Sequence, residues 1–298
     1  MEITATQVKE LREKTGVGMM ECKKALSESS GDMEKAIVWL RERGMSRAAK
    51  KADRVAADGM VEVAVNAEWS SGAALEVNCE TDFVSKNPDF TKFAHETAGL
   101  ALKHQAQSVE SLSTLKLGNA SVNDTITSLI STIGENLKLR RVSVLKTNNG
   151  TVAGYTHMGG RIGTLVLIEG AKGAKAQEVA KDVAMHIAAA APRYLTSTEV
   201  DTSELEQERE IARKKLREEN KPENMIEKIL EGQMKKFFKE VCLVEQAFVK
   251  DPNMTVTKYV ETALPGASIA GFVRYQLGEG IEKKQENFAD EVAAQLRK

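Results

Sequence analysis

The stretch Ala74-Leu-Glu-Val-Asn-Cys-Glu-Thr-Asp-Phe-Val84 sets the fold class of this chain. Its first half places apolar residues at every second position, which is the period of a β-strand with one buried face. Its second half is polar and contains Phe83 beside Asp82. If the strand continued, alternation would turn Phe83 into the core. If the strand ends, an aromatic beside an acid at a loop tip has the composition of an interface anchor. The residues leave both alternatives open.

The order of strand, strand and helix occurs twice along the chain. The first hairpin is predicted at 60–65 and 74–79, ahead of a helix that begins at Asn87-Pro88-Asp89. The second is predicted at 152–155 and 163–168, followed by a helix whose packing side carries Val179, Ala180, Val183, Ala184 and Ile187. The repeated order indicates an internal duplication. Hairpins with a helix on one face predict an α+β fold with two duplicated subdomains and antiparallel sheets.

The N-terminal residues have the period of short amphipathic helices. We predict three helices within residues 1–54, with Asp32 capping the third helix and Gly44 ending it. So small a helical domain is marginal on its own. The segment 47–54 is rich in Lys and Arg and is predicted to be a solvated basic linker, with contact to acidic surfaces as the alternative.

A highly charged segment between Glu204 and Glu240 has apolar residues at helical spacing on both sides of Pro222. This pattern predicts two antiparallel helices with the corner 220–222 at the tip, a projecting coiled-coil hairpin. A solvated helix pair is the plain alternative. A long arm cannot bury all of its own surface. It is therefore equally suited to binding a partner or to forming a homodimer with a second copy of the chain.

The last strand and helix complete the predicted organisation. Alternation at 269–277 predicts a strand that returns to the second α+β subdomain, which makes the arm an insertion. The final helix carries Phe288, Val292 and Leu296. The predicted domains are an N-terminal helical domain with basic linker (1–54), a core N-subdomain (55–150), the first part of a core C-subdomain (151–195), the coiled-coil insertion (196–245), the return of the C-subdomain (246–280) and a C-terminal helical module (281–298).

Composition excludes several classes of function. The 298 residues include 42 Lys and Arg and 43 Asp and Glu, for a net charge of −1. A protein that follows nucleic-acid phosphates is strongly basic, so we expect no direct nucleic-acid binding. No run approaches the ~18 apolar residues of a membrane span, and the polar first ten residues do not resemble a signal peptide. Three scattered cysteines fit reduced thiols. We therefore expect a cytoplasmic protein that binds no membrane.

The residues show no common catalytic motif. The four histidines lack metal-binding spacing, and P-loop, GxGxxG and GxSxG motifs are absent. Glycines in 159–163 precede a strand, so they indicate a turn rather than a phosphate cradle. Cys79 with Asp82 and a distant histidine could form a nucleophilic set. However, Cys79 shares the inward side of the strand with Leu75 and Val77, which favours a buried structural thiol. We expect no catalytic residue, no metal and no cofactor.

Several ordered motifs carry a family resemblance. They are Leu11-Arg-Glu-Lys-Thr-Gly-Val-Gly-Met-Met-Glu-Cys-Lys-Lys-Ala-Leu26, Glu76-Val-Asn-Cys-Glu-Thr-Asp-Phe-Val84, residues 133–136 with Arg140 and Arg141, and residues 155–157, 159–163, 185–187 and 278–282. Over essentially its whole length, the chain resembles bacterial translation elongation factor Ts, the nucleotide exchange factor for elongation factor Tu. The resemblance implies a ubiquitin-associated-like N-terminal domain, two α+β core subdomains, a coiled-coil insertion and a C-terminal helical module.

The resemblance also implies a partner-binding site and a mechanism. Positions matching the family's contacts to Tu are Thr81, Asp82, Phe83 and Val84 in one loop, then Ile133, Gly134 and His157, and Met19 and Met20 in the N-terminal domain. Phe83 is implied to wedge between helices of Tu and weaken its Mg²⁺ and phosphate contacts, until GTP expels the factor. The implied partner is Tu, through its nucleotide-binding domain and a further domain. The competing interpretation is a non-catalytic helical adaptor that tethers partners through its coiled-coil arm.

Overall fold

The computed structural model of the chain describes residues 3–282. In chain order, its elements are α1 (Ala5–Thr15), α2 (Met19–Glu28), α3 (Met33–Lys51), β1 (Asp58–Val65), β2 (Ser71–Cys79), α4 (Pro88–His104), α5 (Val109–Ser113), β3 (Lys116–Leu117), β4 (Ala120–Ser121), α6 (Val122–Ile133), β5 (Lys138–Lys146), β6 (Gly150–His157), β7 (Ile162–Glu169), α7 (Ala174–Ala190), α8 (Thr202–Glu218), α9 (Glu223–Val241), β8 (Ala247–Phe248), β9 (Asp251–Thr255), α10 (Val256–Ala263) and β10 (Ser268–Gln276). The predicted final helix with Phe288, Val292 and Leu296 lies outside the described residues.

The chain divides into two compact units that are each assembled from separated segments. One unit contains the chain up to Glu62, Leu75–Val142, and the chain from Gln276 onward as far as it is described. The other contains Val63–Ala74 and Ser143–Tyr275. Neither unit is continuous in the sequence, so residues far apart along the chain form the core of each one.

Two three-stranded sheets share one order of strands. In one sheet β2 lies between β1 and β5, and in the other β7 lies between β6 and β10. In both, a hairpin is followed by a helix, and a later strand then joins the second hairpin strand. The antiparallel register of β6 and β7 runs from Gly150 opposite Glu169 to His157 opposite Ile162. The predicted α+β class is confirmed. The structure has strands at both predicted hairpins, and after the arm β10 pairs with β7.

The core of the second unit lies between α7 and the sheet that contains β6 and β7. The predicted packing side of α7 is buried against residues of both strands. His186 on the same helix is also fully buried. The Val249 N–H donates to its Nδ1 at 3.2 Å, so Nε2 carries the proton and donates to Gln246 at 2.9 Å. Burial lowers the pKa of His186, so the side chain stays neutral. Its two hydrogen bonds connect α7 to the segment that follows the arm.

The predicted helical arm is present as α8 and α9. The two helices contact each other and flank the corner 219–222, as expected from Pro222. Toward the tip, Leu216, Ile226 and Leu230 form a small apolar cluster. Arg213 pairs with Glu227 at 2.9 Å across the two helices. A further apolar cluster, with Val241 and Cys242, lies at the base.

The three predicted N-terminal helices are present, but the predicted end of the third helix is wrong. The helix α3 does not end at Gly44, and it continues to Lys51. Gly44 is buried, and a Cβ added there would lie 3.7 Å from the Cβ of Ser131 in α6. Gly44 therefore lies inside α3, on the side that faces α6, and does not act as a terminator. The predicted basic linker at 47–54 is accordingly helical over most of its length.

Five elements between α4 and β6 have no counterpart in the predictions. The segment 103–124, which shows no clear pattern, contains the short α5 and the two-residue strands β3 and β4. Next come α6, which ends at Ile133, and the strand β5. The apolar residues Leu139, Val142 and Val144 of β5 are buried, but Arg140 and Arg141 interrupt their alternation, so the sequence pattern does not reveal a strand there.

Glu76 is a charged residue within β2 that has no exposed surface. Its carboxylate accepts hydrogen bonds from Arg140 at 3.1 Å, Arg141 at 2.6 Å, the Asn78 amide at 2.9 Å and the Gly278 N–H at 2.9 Å. Burial alone raises the pKa of Glu76. The hydrogen bonds from Gly278 and Asn78 and the two arginine charges outweigh burial, so the pKa lies below its usual value of 4.5. The buried carboxylate is therefore charged at neutral pH.

Donors to Glu76 come from two segments that are distant from it in the sequence. The arginines belong to β5, and Gly278 follows β10. Arg141 also donates to the Gln276 carbonyl at 2.9 Å and pairs with Glu279 at 3.2 Å. One carboxylate thus holds β2, β5 and the segment 276–279 together in the first unit.

We expect Glu76→Gln to lower the free energy of unfolding by about 3 kcal/mol at pH 7, because two partly buried arginines lose their counter-charge. The native pKa of Glu76 is depressed, so its contribution is present above pH 4.5 and is lost as pH falls through the lower native pKa. Urea denaturation of both proteins should therefore show a difference that shrinks below pH 4.5.

The matched control is Glu279→Gln, since Glu279 pairs with the same Arg141 but is half-exposed. We expect this change to cost less than about 1 kcal/mol. Equal losses for the two variants would contradict a special role for the buried carboxylate.

Candidate functional site

The loop between β2 and α4 presents Phe83 to solvent. The strand β2 ends at Cys79, and a short 3₁₀ turn at Val84–Lys86 leads into α4. Phe83 has helical backbone angles at the start of this turn, and the residue is 81% exposed. The alternative in which Phe83 fills its own core is therefore excluded. The aromatic ring is a large apolar group without an intramolecular pocket.

Asp82 belongs to the turn rather than to the core. Its carboxylate pairs with Lys86 at 2.9 Å, and about half of the side chain is exposed. The Ser85 hydroxyl donates to the Asp82 carbonyl at 2.7 Å. Asn87 then caps α4 by accepting from the N–H groups of Asp89 and Phe90. Side chains of the loop itself thus stabilise the turn on the side that leads into α4.

A second segment closes the other side of the loop. The Glu135 carboxylate accepts from the backbone N–H groups of Glu80 and Thr81, both at 3.0 Å, and from the Thr81 hydroxyl at 2.6 Å. In return, the Glu80 carboxylate accepts from the Asn136 N–H at 2.6 Å. These hydrogen bonds join residues 80–81 to residues 135–136. We call this arrangement the Glu80–Glu135 clasp.

The clasp brings two predicted contact segments together. Ile133 is the last residue of α6, and Gly134 ends the helix in the left-handed region at φ 92°. The next residue is Glu135, so the Ile133-Gly134 corner lies next to the base of the Thr81–Val84 loop. Lys51 Nζ donates to the Gly134 carbonyl, where a cation also complements the helix dipole.

The remaining predicted contact residues lie elsewhere. Met19 and Met20 begin α2 and are both exposed, Met20 more strongly. His157 ends β6 in the second unit, where it is exposed and its Nδ1 lies 3.0 Å from the Tyr155 hydroxyl. The next residue, Met158, is exposed with φ 51°. The expected turn glycines follow, and Gly159 and Gly160 both have positive φ.

The spacing of residues along the chain does not reveal the clasp. Glu135 lies within the Ile-Gly-Glu-Asn motif, but its hydrogen bonds reach residues 54 and 55 positions earlier. A lone acid after a helix terminus has no local feature that distinguishes it from a solvated side chain. The only available signal is the position of Glu80 and Glu135 within two separate family motifs.

Catalytic chemistry has little support in this region. Cys79 is fully buried and donates to the Thr81 carbonyl at 3.1 Å. Burial, with a smaller effect from the carboxylates of Glu135 and Asp58, raises the pKa of the thiol to about 12. Among the residues that the structure describes, no group of three His, Cys, Asp or Glu side chains could hold a metal ion. Within residues 3–282 there is also no helix of the length and apolarity that a bilayer span requires.

The comparison with known protein families bears on the whole site. Residues 80–279 match the family model described as Elongation factor TS, which is more than half of the 298-residue chain. The chain belongs to the elongation factor Ts family. The matched range contains the loop Thr81–Val84, the corner Ile133-Gly134 and His157, while Met19 and Met20 precede it.

Membership of the elongation factor Ts family defines the general role of the chain in protein synthesis. The family promotes nucleotide exchange on elongation factor Tu, which it binds. Exchange breaks no covalent bond, in agreement with a site made of an exposed aromatic side chain and a buried, inert thiol. The adaptor interpretation thus gives way to the family's exchange role at this general level.

We expect native Cys79 to resist alkylation by iodoacetamide at pH 8. A shift of the pKa from 9.0 to about 12 lowers the thiolate fraction roughly thousandfold, and burial excludes the reagent as well. Mass spectrometry of the native protein should find Cys79 unmodified, and the urea-denatured control should be alkylated at Cys22, Cys79 and Cys242. Rapid modification of Cys79 in the native protein would instead revive the thiol-enzyme interpretation.

Proposed function

We propose that this chain accelerates GDP release from elongation factor Tu by inserting the Asp82-Phe83 loop into the nucleotide-binding domain of Tu. The inserted loop disturbs the contacts of Tu with Mg²⁺ and the phosphates, and GTP with Mg²⁺ later displaces the factor. The observation that carries this proposal is the exposure of Phe83 at the tip of a loop whose base is held by hydrogen bonds to Glu135. No reaction is required of the chain itself.

The physical properties of the loop suit a wedge. An exposed aromatic ring contributes nothing to the stability of its own protein, whereas transfer into a partner's pocket is worth about 2 kcal/mol. The loop is held by the Glu80–Glu135 clasp on one side and by the Asn87 cap on the other. A loop that is already ordered loses little conformational entropy on binding, so more of the binding free energy remains for moving helices of Tu.

Thermodynamic coupling explains how binding becomes exchange. If the chain binds nucleotide-free Tu more tightly than Tu·GDP, it must weaken GDP binding by the same factor. At about 1.4 kcal/mol per factor of ten, a wedge worth about 2 kcal/mol accelerates release by tens of fold. The same coupling acts in reverse, so incoming GTP with Mg²⁺ weakens binding of the factor.

The other predicted contacts extend the interface beyond the loop. In this proposal Ile133 and Gly134 contact Tu beside Phe83, because the clasp holds the corner at the base of the loop. His157 in the second unit and Met19 and Met20 on α2 provide separate contacts, and a further domain of Tu takes part. The exposed side chains of these three residues support such roles.

An additional role for the coiled-coil arm rests on its surface. Ile211 on α8 and Met225 on α9 are 61% and 52% exposed. These two side chains are the exposed large apolar residues of the charged helix pair that a contact with another molecule would cover. The second candidate function is therefore tethering, through the arm, of a partner or of a second copy of the chain.

We expect Phe83→Ala to slow stimulated GDP release at least several-fold and up to tens of fold, because the wedge loses its aromatic ring. The measurement is the release of fluorescent GDP from Tu after mixing with the factor. The matched control is Val38→Ala, which shortens an exposed apolar side chain on α3 outside the site. This control should release GDP at the wild-type rate.

The same assay separates exchange from tethering. A wild-type chain that forms a stable complex with Tu without faster GDP release would support the adaptor function. A well-folded Phe83→Ala variant with wild-type release kinetics would refute the wedge.

A further inference from the structure

We infer that Glu135 is a positioning residue for nucleotide exchange, acting through the Thr81–Val84 loop. Its carboxylate holds the loop in the conformation that presents Phe83 to Tu. The inference rests on the proposed function of that loop, to which it adds a residue outside the loop itself.

The first argument concerns the backbone at the end of β2. The strand ends at Cys79, so the N–H groups of Glu80 and Thr81 leave the sheet and need other acceptors. One oxygen of Glu135 accepts both N–H groups at 3.0 Å. Its other oxygen accepts from the Thr81 hydroxyl at 2.6 Å. Hydrogen bonds to an ionised acceptor are among the stronger ones in proteins, so one side chain determines where the strand stops and the loop begins.

The second argument is that Glu135 is itself held in place. Glu80 accepts from the Asn136 N–H, which closes the clasp in the opposite direction. The Asn136 side-chain amide donates to the Arg54 carbonyl at 2.8 Å and to the Ala52 carbonyl at 3.3 Å, just beyond α3. The Glu135 carboxylate that accepts from the loop is therefore held near the ends of two helices, α3 and α6, and is not a mobile surface side chain.

The third argument uses the cost of an unordered loop. If loss of the clasp lets the loop adopt other conformations for nine tenths of the time, apparent affinity for Tu falls about tenfold. Binding to Tu restores the productive conformation, so the rate at saturating factor changes little. A positioning role therefore predicts a raised KM with kcat preserved, whereas loss of the Phe83 ring lowers kcat.

The experiment uses the full chain with Tu loaded with fluorescent GDP. In stimulated GDP release, we expect Glu135→Ala to raise the KM for Tu·GDP about tenfold and to keep kcat within about twofold of the wild-type value. Glu135→Gln should recover most of the loss, since its amide oxygen still accepts from both backbone N–H groups. The matched control Glu96→Ala removes a half-exposed carboxylate from α4 and should behave as wild type.

A second readout separates positioning from general stability. Amide hydrogen exchange of Glu80 and Thr81 should become at least tenfold faster in Glu135→Ala, while amides within β2 keep their wild-type protection. Unchanged exchange at these two amides would overturn the inference. Equal loss of protection throughout β2 would also overturn it, because Glu135 would then act as a general stabiliser.

The double variant Phe83→Ala with Glu135→Ala tests whether Glu135 acts through the loop. We expect Glu135→Ala to lower kcat/KM less than twofold when Phe83 is already absent. A further tenfold loss in that background would overturn the inference.

The single variants distinguish the two proposals. Slow release by Phe83→Ala with wild-type kinetics for Glu135→Ala would overturn only the positioning role. Wild-type release by Phe83→Ala would overturn the wedge itself.

Discussion

A carboxylate without exposed surface imposes the main constraint on the first unit. Glu76 stays ionised inside the protein, so the fold must supply donors to it from the arginines of β5 and the backbone at Gly278. Leaving such a charge without partners would cost several kcal/mol. The requirement holds the central strand β2 against β5 and against the chain after β10. Segments that the sequence separates are thereby fixed relative to one another.

The candidate site extends from the strands that Glu76 holds. The Phe83 loop leaves the end of β2, and the segment 133–137 leads into the start of β5. Two further carboxylates, Glu80 and Glu135, then join these extensions by accepting backbone N–H groups in opposite directions. The buried and the partly exposed carboxylates therefore have different structural roles. The buried one fixes the sheet, and the partly exposed pair orders the loop that presents the aromatic ring.

The candidate site combines an exposed aromatic side chain with a buried thiol. Cys79 is adjacent to the loop, yet burial raises its pKa to about 12 and removes its nucleophilic form at neutral pH. Phe83 is exposed, apolar and presented by a short turn. The family promotes nucleotide exchange on elongation factor Tu, which requires free energy of binding and no covalent chemistry. An ordered loop loses less conformational entropy on binding than a mobile loop, so more of that free energy remains.

Local patterns in the sequence determined much of this protein, and tertiary contacts decided the rest. Alternation and helical spacing predicted both hairpins, the helices α4 and α7 and the arm, because their apolar residues recur at the period of a strand or of a helix. The same patterns failed at Gly44, which is buried inside α3 opposite Ser131 of α6 and does not end the helix. They failed again at β5, because its apolar alternation is interrupted by the two arginines that donate hydrogen bonds to the buried Glu76.

The orientation of Phe83 shows the limit most clearly. Side-chain parity in a strand is known from the sequence, but the residue at which the strand stops is not. Here β2 stops at Cys79, where the next two N–H groups turn to a carboxylate from the far end of α6. The sequence by itself therefore determined that an aromatic residue follows a buried strand. Only the tertiary structure decided that the ring faces solvent, because the acceptor that ends the strand lies 55 residues further along the chain.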